Sequence, residues 1–257
     1  MQQIKYPFFK KDRILKIDML ENLRDFPRDV LDIFCEDMSD GIVCGFTPVV
    51  KKEIITLSKG IIKYHDVVYV MPETISIAYR ETEKEVMLKL CFGEELQEKD
   101  YKTNDIQISI DSDMNLLPNQ IELGRFRLKK GAYLRSEYQD LYDFTTEYNT
   151  INIVNVKYAG QKEHTLNKII LQYFAKEAFE YQLKDSIDFS FCMLCLNSQK
   201  IERAVIQQYI AYKMGELPKE FSNVEIHKQL VKILEEIRKN SRMIKKKKTT
   251  NSKIIID

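Results

Sequence analysis

The stretch DGIVCGFTPVVKKEIITLSKGIIKYHDVVYVMP, residues 40–72, decides the fold of this chain. Short runs of β-branched and aromatic residues alternate in it with Gly, Pro and Lys-rich segments, a pattern typical of consecutive strands joined by tight turns. Gly41, Gly45 and Gly60 stand between the runs, where the backbone needs freedom, and Pro48 and Pro72 end two of them. The pattern predicts a meander of antiparallel strands.

Eight strands are predicted from this stretch and from the alternation of apolar and polar residues after it. They are residues 42–47, 53–57, 60–64, 67–71, 75–79, 85–92, 106–110 and 121–128. His65 and Asp66 predict a two-residue hairpin turn, although His-Asp is a weaker turn signal than Asn-Gly. Many short strands at close spacing favour an antiparallel sandwich or a small barrel over a parallel sheet with crossover helices.

Apolar residues at helical spacing precede these strands. From Ile14 to Leu23 they predict a first short helix, which we expect to end near Phe26 because the residue before a proline avoids the α region. Pro27 suits the first turn of a second short helix over residues 28–38. Two short helices are therefore predicted to lead into the sheet.

Helical spacing returns in the second half of the chain. Helices are predicted over residues 165–182, over residues 187–196, from Ile201 to near Gly215, and from a capping box at Ser222 to Glu225 onward. Residues 137–148 predict a short aromatic helix or an ordered linker, and residues 151–156 a last apolar stretch that adds to the sheet or covers it. Each helix is amphipathic and needs packing partners to be stable.

These elements predict an α+β fold in five parts. The parts are an N-terminal helical lead-in (residues 1–39), an antiparallel β-domain (40–135), a linker (136–160), a helical domain (161–244) and a basic tail (245–257). No Ser-, Gly- or Pro-rich segment separates the two main parts, so we expect them to pack as a unit.

Composition is that of an ordinary globular chain, with 257 residues, 44% hydrophobic content and a net charge of +1. Residues 238–257 carry 8 basic side chains and 1 acidic, a net charge of +7, which leaves −6 for residues 1–237. There is no apolar run of signal-peptide or membrane-span length, so neither secretion by that route nor a membrane span is predicted. Five scattered cysteines suit a reducing compartment.

Candidate catalytic and metal-binding patterns are weak. Cys192 and Cys195 have CxxC spacing, but their neighbours are apolar and no second pair accompanies them, so the pattern favours a helix core over a metal or redox site. The histidines at 65, 164 and 227 have no ligand or catalytic partner nearby in sequence, and we expect ordinary surface or core imidazoles. Sequence order leaves a Ser/His/Asp arrangement open. Standard nucleotide-binding glycine loops are absent from the sequence.

Asp111, Asp113 and Asn115 have the alternating oxygen donors that begin a calcium loop. The sixth position, where such a loop needs Gly for its sharp bend, is Leu116. The pattern therefore favours an acidic turn. No cofactor and no metal ion is predicted for this chain.

The basic tail contains the one candidate contact site that the sequence defines. It consists of Lys245, Lys246, Lys247 and Lys248. Such a run binds phosphate groups or an acidic protein surface, or is a solvated tail. No aromatic residue lies within it to stack on a base, which argues against nucleic acid and favours a protein partner.

A family resemblance extends over most of the chain. It rests on residues 40–45 with the runs 54–57, 59–64 and 67–71, on residues 23–29, and on residues 222–227 with Leu230. These residues resemble structural proteins of phage tails and tail-like particles, including uncharacterised proteins of prophage tail modules in Gram-positive anaerobes.

The resemblance implies a small β-domain near the baseplate or the fibre attachment point. It further implies a non-catalytic structural part that links baseplate and fibre through protein–protein interfaces in a multi-copy assembly. Its partners would be other tail or baseplate proteins, and its location the virion after synthesis in the bacterial cytoplasm. Two alternatives stay open from the residues alone: a nucleic-acid-associated protein that uses the basic tail, and an enzyme without a recognisable motif.

Overall fold

The computed structural model describes residues 4–244, and all the elements named here lie in that range. The strands are β1 Gly41–Cys44, β2 Pro48–Lys51, β3 Ile54–Leu57, β4 Gly60–Tyr64, β5 Val67–Met71, β6 Ile75–Ala78, β7 Val86–Gln97, β8 Lys102–Asp111 and β9 Gln120–Phe126. The α-helices are α1 Ile17–Cys35, α2 Lys168–Ala178, α3 Ser186–Asn197, α4 Arg203–Met214 and α5 Asn223–Asn240, and a 3₁₀ helix spans Tyr142–Thr145. The predicted α+β class is confirmed.

The N-terminal helix differs from the prediction of two short helices. α1 is one helix of 19 residues and it continues through Pro27. The avoidance of the α region before a proline is a preference, and Pro27 removes one backbone hydrogen bond without ending the helix. Because a wide set of apolar residues follows helical spacing on both sides of Pro27, one amphipathic helix accounts for the pattern.

The described strands form three antiparallel sheets of three strands each, in the orders β1-β4-β5, β2-β3-β6 and β8-β7-β9. The predicted hairpin at residues 65 and 66 is confirmed, since Tyr64 pairs with Val67 and both turn residues have positive φ, at 47° and 62°. The short strand β2, which pairs with β3, was not predicted. β2 begins with Pro48. The pattern of this proline and the lysines after it is typical of a turn, so no strand was predicted there.

The longest strands extend beyond the prediction. β7 reaches Gln97 rather than residue 92, and its pairing with β8 shifts register between Phe92 and Glu95. Such a bulge redirects a strand while the ladder continues beyond it. The inner part of β7 is buried, and the part after residue 92 is exposed, so the apolar pattern marked only the buried part.

Residues 136–165 contain little regular structure, but they are closely packed. Ile151, Ile153, Val154 and Val156 are buried, and the prediction that this apolar stretch covers or extends the sheet is confirmed. Asn152 exchanges backbone hydrogen bonds with Arg125 of β9, at 2.7 and 2.8 Å. The segment therefore lies along the edge of the third sheet.

The helices of the second half follow the predicted order. α4 ends at Gly215 in the left-handed conformation, and Ser222 and Glu225 form the predicted capping box at the start of α5. α2 packs against α3 and α5. One continuous cluster of buried residues includes Phe46, Leu90 and Phe126 of the strand half and Phe174 and Leu230 of the helical half. The two halves thus share a core, as expected.

Two glycines with positive φ give a matched test of backbone packing. Gly45 has φ +76°, and a Cβ added there would lie 2.0 Å from the Lys59 carbonyl oxygen; Gly131 has φ +74° and nothing within 4 Å. We expect Gly131→Ala to lower the free energy of unfolding by about 1–2 kcal/mol, the cost of the left-handed conformation. Gly45→Ala should cost a further ~1–3 kcal/mol through overpacking. Urea denaturation of both variants measures the difference, and equal losses would contradict this packing of β1 against β4.

Candidate interaction surfaces

The first candidate surface is one side of α1. It consists of Met19, Leu20, Leu23, Phe26, Val30, Ile33 and Phe34 and is called the α1 face below. Of the 19 residues of the helix, Cys35 alone is buried. Leu23, Phe26 and Ile33 remain 55%, 49% and 70% exposed. A soluble single chain rarely leaves so many large apolar side chains together in water, so the α1 face has the character of an interface.

The C-terminal end of α1 is fixed to the sheet by Lys63 of β4. Its ammonium donates hydrogen bonds to the carbonyl oxygens of Cys35 at 3.0 Å and Glu36 at 2.7 Å. A cation at this end of a helix satisfies free carbonyl groups and interacts favourably with the helix dipole. Beyond this anchor, α1 contacts β5, and its apolar side chains stay largely uncovered.

A groove of about 420 Å³ continues the α1 face. Leu31 and Phe34 of α1 form one wall, and the other walls come from β1, from residues 158–167 and from the start of α2. The lining is mainly apolar. A partner that covers the α1 face therefore finds beside it a groove that accepts apolar side chains.

The second candidate surface lies on α3, a helix with apolar residues on both sides. Its inner side carries Phe191, whose ring stacks on Tyr209 of α4 with centroids 3.9 Å apart. Buried Asp188 accepts hydrogen bonds at 2.8 Å from the Tyr209 hydroxyl and at 2.8 Å from Lys213 Nζ. Burial lowers the pKa of Lys213, but the carboxylates of Asp188 and Asp185 outweigh burial and raise it above its ordinary value. These contacts fix the orientation of α3.

The outer side of α3, called the α3 face, consists of Ile187, Phe189, Met193, Leu194 and Leu196. Phe189 is 52% and Met193 is 48% exposed. Because the inner side holds the helix in place, these residues point outward as a consequence of the fold. The sequence signal for the α3 face was the nearly all-apolar segment 187–196, which has too many apolar residues for one buried side.

The CxxC pair lies on the inner side of α3. Cys192 and Cys195 are buried, and burial raises the pKa of the Cys192 thiol to about 12 and that of Cys195 further above its ordinary value. A thiol with a raised pKa is a poor nucleophile and metal ligand. The predicted core position of this pair is confirmed. Among residues 4–244, no group of three or more His, Cys, Asp or Glu side chains could hold a metal ion.

The predicted acidic turn at residues 111–115 is also confirmed, and a lysine side chain from another part of the chain binds to it. Buried Lys89 of β7 donates hydrogen bonds to Asp111 Oδ2 at 3.1 Å and to the Asn115 carbonyl at 2.7 Å. Asp111 Oδ1 accepts from the Asp113 amide at 2.9 Å. The Asp113 amide and Lys89 together lower the pKa of Asp111. Sequence reasoning missed Lys89 because it lies on a different strand.

Removing Lys89 tests this arrangement. We expect Lys89→Met to lower the free energy of unfolding by about 1.5–3 kcal/mol, since Asp111 and the Asn115 carbonyl lose the charged donor that binds them. The control is Lys102→Met, whose exposed pair with Glu95 at 2.8 Å contributes little in water. Thermal and urea unfolding compare the two variants, and a Lys89 variant as stable as the control would contradict the role of Lys89.

The histidines lie apart from one another. His65 stacks on Tyr64 in the hairpin turn, at 4.3 Å between ring centroids, and buried His227 Nε2 lies 2.9 Å from the Leu141 carbonyl oxygen. In the described part of the chain, none of the three rings contacts a serine hydroxyl or a carboxylate. The structure therefore brings no Ser/His/Asp group together among residues 4–244.

We expect two of these histidines to make the free energy of unfolding depend on pH. Burial lowers the pKa of His227, and burial with the charges of Arg203 and Lys157 lowers that of His164 to about 4, from an ordinary value of 6.5. The unfolded chain therefore binds protons that the folded chain excludes, and the free energy of unfolding should fall as pH drops below about 6.5. Urea titrations at pH 7 and 5.5 should show a smaller drop in the free energy of unfolding for His227→Gln than for wild type. An identical drop in the two proteins would refute the assignment.

The predicted partner contacts at Lys245, Lys246, Lys247 and Lys248 lie outside the described residues. They stay a prediction. No helix within residues 4–244 combines the length and apolarity needed to cross a membrane.

Comparison with known proteins gives no match to a family model and none among curated proteins. Among the solved structures that are partly similar are the following two. One is the type VI secretion system TssK-TssF-TssG baseplate subcomplex, seen by cryo-electron microscopy, with 8% sequence identity, 91% of this chain and 100% of that chain covered, and a TM-score of 0.42. The other is the crystal structure of TssK, with 9% identity, 92% and 72% coverage, and a TM-score of 0.40.

Both similar structures are baseplate proteins of type VI secretion. Their TM-scores are too low to assign this chain a fold family or a role. They give no support to the part of the resemblance that concerned Gram-positive anaerobes.

Proposed function

We propose that this protein is a non-catalytic structural component of a phage tail, baseplate or tail-like particle, and that it links baseplate and fibre parts through protein–protein interfaces. The observation that carries the proposal is the presence of two large apolar helix faces, the α1 face and the α3 face, on an otherwise well-packed chain. Monomeric proteins rarely expose apolar patches of this kind, whereas subunits of stable assemblies do until their partners cover them.

The tail assignment rests on the sequence resemblance. Of the runs that carry it, residues 41–44, 60–64 and 67–71 form the sheet β1-β4-β5. In this proposal the strand half docks on the particle or on a fibre, and the helical half binds a neighbouring subunit. The basic tail at Lys245, Lys246, Lys247 and Lys248 docks on an acidic surface of a partner.

The α3 face is the contact we propose for a neighbouring subunit of a different kind. Fully burying one aliphatic or aromatic side chain contributes about 1.5–3 kcal/mol. Five such side chains provide the apolar centre of an interface, even though each is already partly buried and association itself costs free energy. Asp188 and Phe191 hold α3 from the other side, so a partner meets a rigid surface and loses little conformational entropy.

Co-elution with the products of flanking genes tests the proposal. We expect the full chain to form a stable complex with at least one of them in size-exclusion chromatography with light scattering. Met193→Glu should abolish the complex, because it places a charge at the centre of the α3 face. Gln208→Glu is the matched control: it adds the same charge at an exposed position of α4, away from the α3 face and from the strand half, and should leave the complex intact.

A truncation that removes residues 245–257 tests the tail separately and leaves α5 complete. It should weaken the complex and reduce its sensitivity to salt. A folded chain that binds none of the flanking-gene products at low or moderate salt would overturn the assembly role. If such a chain bound nucleic acid and lost that binding on truncation, the nucleic-acid alternative would replace it.

A further inference from the structure

The sequence continues beyond the described structure with the 13 residues KKKKTTNSKIIID, residues 245–257. Four lysines come first, and after a polar stretch come three consecutive isoleucines, Ile254, Ile255 and Ile256. Burying such an apolar run is favourable wherever it reaches an apolar site. Residues 1–3, the other segment outside the described range, contain one apolar residue and have no comparable run.

The groove beside the α1 face is an apolar site of suitable size. Its volume of about 420 Å³ lies in the range of pockets that hold ligands. Leu31 and Phe34 of α1 line one side, and Ile61 of β4 and Ile169 of α2 line others. Phe34 is 69% exposed, so part of this wall lies in water. An aliphatic segment in the groove would cover that wall and give α1 a second contact beyond its anchored end.

The isoleucines are close enough along the chain to reach this groove. The Ile244 amide donates to the Glu180 carbonyl at 2.7 Å, beyond the C-terminal end of α2. The groove lies at the opposite end of α2, where Lys168 lines it, and a helix of this length spans about 16 Å. The segment from Ile244 to Ile254 extends up to about 33–36 Å, whereas residues 245–248 extend up to about 14 Å. The isoleucines therefore reach the groove, and the four lysines do not.

The charges at the groove favour the same placement. Its lining includes Lys168 and Lys200, which would repel the lysines at the start of the segment. Lys200 pairs with Glu202 at 3.2 Å, whereas Lys168 Nζ donates to a neutral amide oxygen at 2.6 Å. Asp257 directly follows the isoleucines. With the isoleucines in the groove, its carboxylate comes near the Lys168 ammonium.

We propose that residues 254–256 bind in the groove between α1, β1 and the start of α2 of the same chain. A segment tethered at Ile244 meets the groove at an effective concentration on the order of millimolar, far above that of a separate partner. Residues 245–253 then form a strap along the helical half. This contact goes beyond the proposed assembly role and does not depend on it. A strap that is fixed at both ends presents Lys245, Lys246, Lys247 and Lys248 with less conformational entropy to lose on docking.

The native Cys44 reports on the groove, because it lines the groove and is exposed in the described structure. The measurement is the rate at which N-ethylmaleimide labels Cys44 in the full chain, followed by mass spectrometry of the peptide that contains it. We expect labelling to be about tenfold faster when Ile254→Ser, Ile255→Ser and Ile256→Ser are combined. A factor of ten corresponds to about 1.4 kcal/mol, less than the burial of three isoleucines contributes.

The matched control combines Lys246→Ser, Lys247→Ser and Lys248→Ser, which places three serines in the same segment and keeps the isoleucines. It should label Cys44 at the wild-type rate. Equal rates in the wild type and the isoleucine variant would overturn the proposal.

Disulfide formation with Cys44 locates the contact directly. Because neighbouring side chains of an extended segment point to opposite sides, Ile254→Cys, Ile255→Cys and Ile256→Cys are each oxidised with diamide. We expect at least one to form a disulfide with Cys44 within one chain, and Thr249→Cys to form little. Non-reducing electrophoresis and peptide mass spectrometry identify the product. A dimer linked through the same two positions would place the segment of a second copy in the groove and overturn the intrachain contact, as would no crosslink from any of the three.

This contact and the proposed function fail in different ways. A chain that protects Cys44 through its isoleucines but binds none of the flanking-gene products overturns the proposed tail function and leaves the contact standing. A chain that co-elutes with a flanking-gene product, and whose isoleucine variant labels like wild type, overturns the contact alone.

Discussion

The structure depends on the backbone pairing of Ile42 with residues 157–159. The Ile42 amide donates to the Lys157 carbonyl at 3.0 Å, and the Ala159 amide donates to the Ile42 carbonyl at 2.9 Å. Gly41 permits this approach, since a Cβ there would lie 2.7 Å from the Lys157 carbonyl oxygen. The segment after the strands thus returns to the first strand before the helices begin, and the helical half is built directly onto the sheet half.

This return explains why the two halves share a core. Once residues 151–159 lie against β1 and β9, α2 begins at Lys168 and packs into the same apolar core. α5 closes the arrangement from the other side, where buried His227 meets the Leu141 carbonyl. The α1 face and the α3 face lie on helices that are held by one end and by one side, respectively.

The sequence predicted local features well because they depend on neighbouring residues. The hairpin at His65 and Asp66, the end of α4 at Gly215 and the capping box at Ser222 each need only a few consecutive side chains. Features that join distant residues were missed. Lys89, which binds the acidic turn, comes from another strand. The continuation of α1 through Pro27 depends on the apolar residues on both sides of it following one helical spacing. The two-sided apolar character of α3 was visible in the sequence, but its outer face follows from Asp188 and Phe191 fixing the inner one.

α1 and α3 expose apolar residues for different physical reasons, and this difference bears on what covers them. α3 is held along its inner side by buried contacts, so its outer face is a rigid surface that exists before a partner arrives. α1 is held at one end by Lys63, and its length, its internal proline and its exposed seam leave it short of stabilising contacts within one chain. A surface that exists in advance suits a separate partner that binds and leaves the fold unchanged. A helix that needs a partner for its own stability suits an interface formed as the subunits assemble.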